Sequence, residues 1–497
     1  MSSKKENHYG ESWGYVDERK SAEHNDRITR RDNAQSMYND SKKNYAEQEF
    51  DLKGSRNSII VIVAMVLVVL VAAMVLSSGV GKKNENNDVN NDNINQSQLT
   101  SDVVSRTDSA DEVSQSDLTS QTEPTVNALQ VSSLSEGDVS KKLDSIAKKY
   151  NCEAVQIAII TDGKISVTYE YGTIDKKSEN PINADTKIRA ASLTKVLVGM
   201  TAMKMTEDGY FTLDQDISEI AGYTIKNPKY PNVPITMRHL LTHTSSISSQ
   251  ELDVNSEVTQ DVEWLPKKLK QTSIFVKKCP GKAAAFEYSN SGYSVAGYLM
   301  EVASQQTLNN YVKENFFKPL GIDAAFCASQ LQNKSNIAEL RSNIPTNYGL
   351  SAALLLERPY YDNPGENSYP YAGDLMISAK DMAQIVCVLM CDGTYNGIQF
   401  LSDESVATME EVHINTGTST LPRKQCVTLK YYPEQIDDRN MYYHTGAANG
   451  VMGYIGYDSK ADDGVVIMTI GANNNEKKRD VNRVCLELAS ECFKELC

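Results

Sequence analysis

The chain has 497 residues, a net charge of −15 and a sequence pI near 5.0. That length exceeds one ordinary domain, so several segments are expected. The acidic balance argues against a general nucleic-acid binder, for which a basic face would be needed.

Residues 1–57 carry 11 acidic and 11 basic side chains and almost no apolar clusters, and read as a disordered, solvated tail. Ile59 to Leu76 is an uninterrupted apolar run of 18 residues. As a helix such a run reaches roughly 27 Å, close to the ~30 Å thickness of bilayer hydrocarbon. A single transmembrane helix is therefore expected at 58–80. The stretch before the run is too long for the basic region of a cleaved secretion signal. Lys42, Lys43, Lys53 and Arg56 precede the run, against Lys82 and Lys83 after it. This bias predicts a cytoplasmic amino terminus and an extracellular carboxy-terminal part. Residues 81–138, rich in Asn, Ser, Asp and Gln, read as a flexible polar stalk.

All nine cysteines follow the span: Cys152, Cys279, Cys327, Cys387, Cys391, Cys426, Cys485, Cys492 and Cys497. An odd number cannot all pair within the chain, and the spacing suits no zinc module, so most read as small buried hydrophobes.

A domain is expected over 139–497. Val139–Tyr150 has helical spacing, with Leu143, Ile146 and Ala147 on one face. Ala154–Tyr171 alternates through Asp162-Gly163, a hairpin signal. Ser192–Asp208 is apolar almost all round and predicts a buried helix that stops at Gly209. Further helices are predicted at Gly292–Ala303, Leu308–Lys318 and Ala379–Leu389, the last opened by a capping box from Ser378 to Asp381. Tyr454–Tyr457 and Val465–Ile470 read as a second hairpin around Asp463-Gly464, followed by a closing helix over Val481–Leu496. Strands at both ends with helices between predict an α+β or α/β sandwich. Its terminal strands share one antiparallel sheet, with a helix from each end against it.

Three short motifs carry chemistry. Ser-x-x-Lys occurs at Ser192/Lys195, and also at Ser2/Lys5 and Ser145/Lys148. Tyr-x-Asn occurs at Tyr288/Asn290, and also at Tyr230/Asn232 and Tyr361/Asn363. A Thr-Gly pair follows His444, and another follows Asn415. Context separates the copies. Ser192 and Lys195 open the helix that is apolar on all sides, and at a spacing of three they share a face, so the amine can reach the hydroxyl. A lysine buried among Leu, Val and Met needs a reason, because an unpaired buried charge is costly.

Tyr171-Gly-Thr, followed by Asp185-Thr-Lys-Ile-Arg-Ala-Ala-Ser192-Leu-Thr-Lys195, resembles the nucleophile region of class C β-lactamase-like, penicillin-recognising serine hydrolases. Leu213-Asp214, Ile235–Ser245, Phe286–Ser294, Ala372–Asp381 and His444-Thr-Gly446-Ala-Ala-Asn-Gly450 are similar to further segments of that family, in family order. The resemblance spans about residues 139–497. It implies a β-lactamase/transpeptidase-like fold, in which an antiparallel sheet flanked by terminal helices joins an all-helical lobe. Three positions depart from the family pattern: Ser246 and Asp374 stand where Gly is usual, and His444 replaces the Lys of true β-lactamases.

The resemblance implies a Ser192 nucleophile that forms an acyl-enzyme, with Lys195 and Tyr288 acting as a shared proton relay. It also implies Asn290, His444, Thr445 and Gly446 as substrate-binding residues and the N–H groups of Ser192 and Ala447 as an oxyanion hole. His243 is read as architectural. No metal site and no cofactor are implied. Expected substrates are cell-envelope or other D-amino-acid peptides and small esters, with β-lactams only incidental. The rival reading is a penicillin-binding sensor that acylates without turnover and relays to the cytoplasmic tail.

Overall fold

The computed structural model describes residues 131–177, 179–252, 262–344, 349–367, 369–473 and 476–497. The tail expected at 1–57, the membrane span at 58–80 and the stalk up to residue 130 lie outside these residues. Among the described residues, no helix is long and apolar enough to cross a membrane.

One eight-stranded antiparallel sheet organises the domain. In chain order its strands are β1 (Ala154–Thr161), β2 (Lys164–Gly172), β3 (Ile414–Asn415), β4 (Lys424–Gln425), β5 (Lys430–Ile436), β6 (Arg439–Ala448), β7 (Val451–Asp458) and β8 (Asp463–Ile470). Across the sheet they run β2-β1-β8-β7-β6-β5-β4-β3. The first strands of the domain thus pair with the last, as the sequence predicts.

Among the described residues, five helices of 12 or more residues cover the sheet or build the lobe: α1 (Asp138–Lys149), α2 (Thr194–Glu207), α3 (Asn290–Ser304), α4 (Ala379–Met390) and α5 (Arg483–Glu495). Strand alternation divides the core between two faces. Val155, Ile157 and Ile159 of β1 join Leu143 and Ala147 of α1 and Leu488 and Ala489 of α5 in one cluster. Ala154, Ala158 and Ile160 join the larger cluster, built from α2, α3, α4 and the helical lobe. Ion pairs from Lys142 to Glu491 (2.9 Å) and from Lys149 to Glu487 (2.6 Å) link α1 to α5.

The first hairpin follows its sequence signal. Thr161 pairs with Lys164 across Asp162 and Gly163, whose φ values of 51° and 70° suit a two-residue primed turn. The second signal misled. Asp463 and Gly464 lie inside β8, opposite Asp458 and Tyr457, and the connection falls at residues 459–462. Gly464 is there for packing: a Cβ would meet Met390 Sδ at 3.0 Å and Tyr457 Cβ at 3.1 Å.

Smaller shifts concern boundaries. The closing helix starts at Arg483, because Val481–Asn482 first pairs with Lys477–Lys478. The helix predicted at Leu308–Lys318 contains a wider, π-type turn at Lys313–Phe317. Order also begins before Val139: Leu134 N–H donates to Thr168 O (2.6 Å) at the outer edge of β2. The capping box is half formed. Ser378 Oγ accepts from Asp381 N (3.0 Å), while the Asp381 carboxylate turns instead to Lys187 (2.6 Å). None of the nine cysteines forms a disulfide among the described residues, and six of them are buried.

Candidate active site

The expected nucleophile sits on a strained turn. Residues 191–193 form one tight 3₁₀ turn, and α2 begins at Thr194, so Ser192 precedes the regular helix instead of opening it. Ala191 has φ 49°, a left-handed conformation unusual for alanine. Neighbouring backbone holds it there: Ala190 N–H donates to Leu375 O (2.8 Å), and Leu375 N–H donates to Thr194 Oγ1 (3.2 Å).

Lys195 is fully buried. Its Nζ lies 3.2 Å from Ser192 Oγ, 2.8 Å from Asn290 Oδ1 and 2.5 Å from Ala372 O. Asn290 comes from the first turn of α3, and Ala372 from the segment leading to α4. Burial lowers the ammonium to about 7, with Arg189 and Lys430 repelling it further. A neutral amine has two N–H groups and one lone pair. Two of its three neighbours can only accept, so the lone pair faces the third, the Ser192 hydroxyl.

Tyr288 is 40 % exposed, with its ring packed beside His243. Burial raises the phenol to about 12; an interaction with Ser192 opposes the rise and Asp480 adds to it. The phenol therefore keeps its proton at neutral pH. The His243 ring lies 4.5 Å from the Tyr288 ring, centroid to centroid, and the His444 ring 6.5 Å from it.

His243 has one ring nitrogen engaged, while its Nε2 has no hydrogen-bond partner among the described residues. It is buried, its Nδ1 accepts from Ser289 N (3.1 Å), and its carbonyl accepts from Glu287 N (2.9 Å). His444 differs from expectation in its burial: it is closed off from solvent, and neither ring nitrogen has a hydrogen-bond partner among the described residues. Burial, followed by Lys430, Lys195 and His243, holds it well below the usual imidazole range, so it is neutral.

The ladder between β5 and β6 ends at Tyr443. From His444 to Ala448, β6 keeps its pairing with β7 alone, with no second ladder on its other edge. Gly446 packs on the nucleophile turn, where a Cβ would come within 3.0 Å of Ala190 O and 3.4 Å of Ala191 Cβ. The structure thus gathers Ser192, Lys195, Tyr288, Asn290, His444 and Gly446 in one place, with Thr445 and Ala447 on the same strand.

Two other motif copies lie elsewhere, and Ser2/Lys5 falls outside the described residues. Ser145 Oγ bonds to Lys141 O on α1, and Lys148 pairs with Asp144 at the surface. Tyr361 and Asn363 lie in a loop held through Asn367 and Glu366. Leu213-Asp214 and the central segment brace each other: Asp214 takes both Nε and Nη2 of Arg238 at 2.8 Å, and Arg238 N–H donates to Leu213 O.

Both non-glycine departures have a structural answer. Ser246 adopts φ 63° and accepts a buried bond from Asn227 Nδ2 (2.9 Å). Asp374 is a buried carboxylate held between Arg189 and Arg358. Sequence reasoning missed Ala372 O, Arg189 and Lys430. The one signal available was a lysine inside the apolar strand pattern around Lys430.

The family model described as Beta-lactamase matches residues 139–490. The chain belongs to the Beta-lactamase family. Membership agrees with the motif resemblance over residues 139–497. Protein flp of Staphylococcus aureus (strain N315) is 28% identical over 191 residues, covering 37% of this chain and 37% of that protein. The chain therefore matches well under half the length of this curated relative. D-alanine carboxypeptidase AmpC from Burkholderia cenocepacia superimposes with TM-score 0.54 at 17% identity, over 72% of this chain and 98% of that one. D-amino acid amidase from Ochrobactrum anthropi SV3 gives TM-score 0.54 at 20% identity, over the same shares of each chain. At these identities the likeness shows the fold alone.

Proposed function

We propose that this chain is a membrane-anchored, extracytoplasmic hydrolase that opens an amide or ester through a Ser192 acyl-enzyme. The observation that carries the reading is the buried Lys195 amine, 3.2 Å from the Ser192 hydroxyl and lowered to about 7, so that it can give and take a proton near neutral pH. In this reading Lys195 takes the proton as Ser192 Oγ attacks the carbonyl carbon. The N–H groups of Ser192 and Ala447 receive the oxyanion. Tyr288, still protonated, passes a proton to the departing amine or alkoxide and regains one from Lys195. Water then attacks the acyl ester, and Ser192 is restored.

The edge of β6 from His444 onward takes the substrate backbone, as an added strand would. Asn290 holds Lys195 and the substrate amide, and Gly446 allows close approach. The substrate is a D-amino-acid peptide or amide of the cell envelope. Support comes from the carboxypeptidase and amidase among the proteins of like fold, and from an apolar run and basic bias that favour a domain outside the cell. The experiment is a panel of D-Ala-D-Ala peptide, D-aminoacyl amide, p-nitrophenyl ester and nitrocefin, tested on the full-length protein in detergent. Turnover of a D-configured amide, lost in Ser192→Ala, is the expected result. Turnover of none of them, with lasting penicillin attachment to Ser192, would favour a sensor instead.

A further inference from the structure

Two lysines flank one phenol. Lys195 Nζ lies 5.2 Å from the Tyr288 ring centroid and Lys430 Nζ 5.9 Å from it. Both lysines are buried. The hydrogen-bond partners of Lys195 are all uncharged: a hydroxyl, an amide oxygen and a carbonyl. Lys430, in contrast, has a carboxylate, with Asp480 Oδ2 at 2.8 Å.

Asp480 is firmly placed. It stands on the two-residue turn between Lys477–Lys478 and Val481–Asn482, where Arg479 and Asp480 have φ 53° and 65°. The same carboxylate accepts from Tyr443 Oη (2.9 Å) and Arg423 Nη1 (2.8 Å). Lys430 is the register partner of Tyr443, one residue from His444. His444 is neutral and brings no charge to the third motif. Burial lowers the Lys430 ammonium as well, but Asp480 opposes that fall, so β5 brings a carboxylate-held cation to the site in addition to Arg189.

We propose that the Lys430–Asp480 pair sets the charge state of this site: Asp480 keeps the proton on Lys430, and that cation keeps Lys195 as the free amine facing Ser192. When two ammonium groups share a buried site, the one without a counterion yields its proton first. The other charged or titratable groups around the pair are Arg423, Lys477, Tyr443, Tyr288, His243 and His444, with Arg189 and its Asp374 beyond Lys195. The proposal rests on the acyl-enzyme reading above.

The test is the pH dependence of Ser192 labelling by a fluorophosphonate in the full-length protein. Ser192 Oγ bonds to phosphorus, fluoride leaves, and the hydroxyl proton passes to Lys195, so the rate follows the free amine. Lys430→Met should move the acid limb to higher pH, and the double variant Lys430→Met/Asp480→Asn should move it the same way but less, since it removes an anion along with the cation. The ring distances put the two amines no more than about 11 Å apart; at an effective dielectric constant of about 20, one charge there shifts the limb by about one pH unit. Lys430→Arg should leave it in place. The double variant removes the pair as a neutral unit and leaves no buried carboxylate stranded; asparagine also tolerates the left-handed backbone at 480. A limb unmoved in both methionine-bearing variants overturns the proposal and leaves the acyl-enzyme reading standing. An equal shift in the arginine variant also overturns it, since packing and not charge would then be at work. If the wild-type protein takes no label, the reading beneath the proposal fails, and the proposal with it.

Discussion

Lys195 donates to Asn290 Oδ1 across 2.8 Å, and this bond ties the nucleophile helix α2 to the first residue of α3. The partner is an amide and not a carboxylate, which leaves the ammonium without a charge to hold it. Asn290→Asp should restore that hold. An opposite charge in contact favours the protonated amine, so the acid limb of kcat/KM should rise by about one pH unit or more. Activity at pH 7 should fall while activity at pH 9 recovers much of its value. A pH–rate profile that keeps its limb near 7 would show that Lys195 is not the base.

Lys195 also burdens the fold. Its folded value of about 7 lies below the ordinary 10.5, so the unfolded chain binds more protons between those limits. Stability should therefore rise with pH across that window. Replacing the lysine with methionine removes a buried charge and keeps the volume. Lys195→Met should be inactive yet melt higher than the wild type, by a few degrees for a gain of about 1–2 kcal/mol. The gain should be greatest below pH 7 and shrink towards pH 10, as thermal melts at three pH values would show.

Tyr288 should act as a donor, since burial holds its hydroxyl up at about 12. Tyr288→Phe should lower turnover of an amide by about 10²–10³-fold. A p-nitrophenyl ester, whose leaving group needs no proton, should lose far less. The acid limb set by Lys195 should not move. Equal losses on amide and ester would assign Tyr288 to orientation alone.

Gly446 keeps β6 against the nucleophile turn. Gly446→Ala would bring a Cβ to 3.0 Å from Ala190 O, a backbone atom that cannot swing aside. The expected cost is about 1–3 kcal/mol of stability from overpacking. Labelling of Ser192 should slow at least tenfold as the turn shifts. Labelling at the wild-type rate would mean that the turn yields freely.

Much of the fold was legible along the chain. The Asp162-Gly163 turn, the all-round apolar α2 and the pairing of terminal strands are local or periodic features, and they survive packing. Asp463-Gly464 carried the same letters as a turn and was none, because Gly464 answers to Met390 and Tyr457 across space and not to its chain neighbours. The apolar run at 58–80 lies outside the described residues, and its reading still rests on length and hydropathy.

The sequence by itself nominated which groups could do chemistry: Ser192 and Lys195 by a lysine set in an apolar helix, Tyr288 and Asn290 by the family resemblance. Tertiary structure alone decided their protonation. Whether an amine gives up its proton depends on burial and on charges brought near from residues 189 and 430, and whether His444 is charged depends on the solvent that packing removes. Those are properties of distance through space, which no spacing along the chain records.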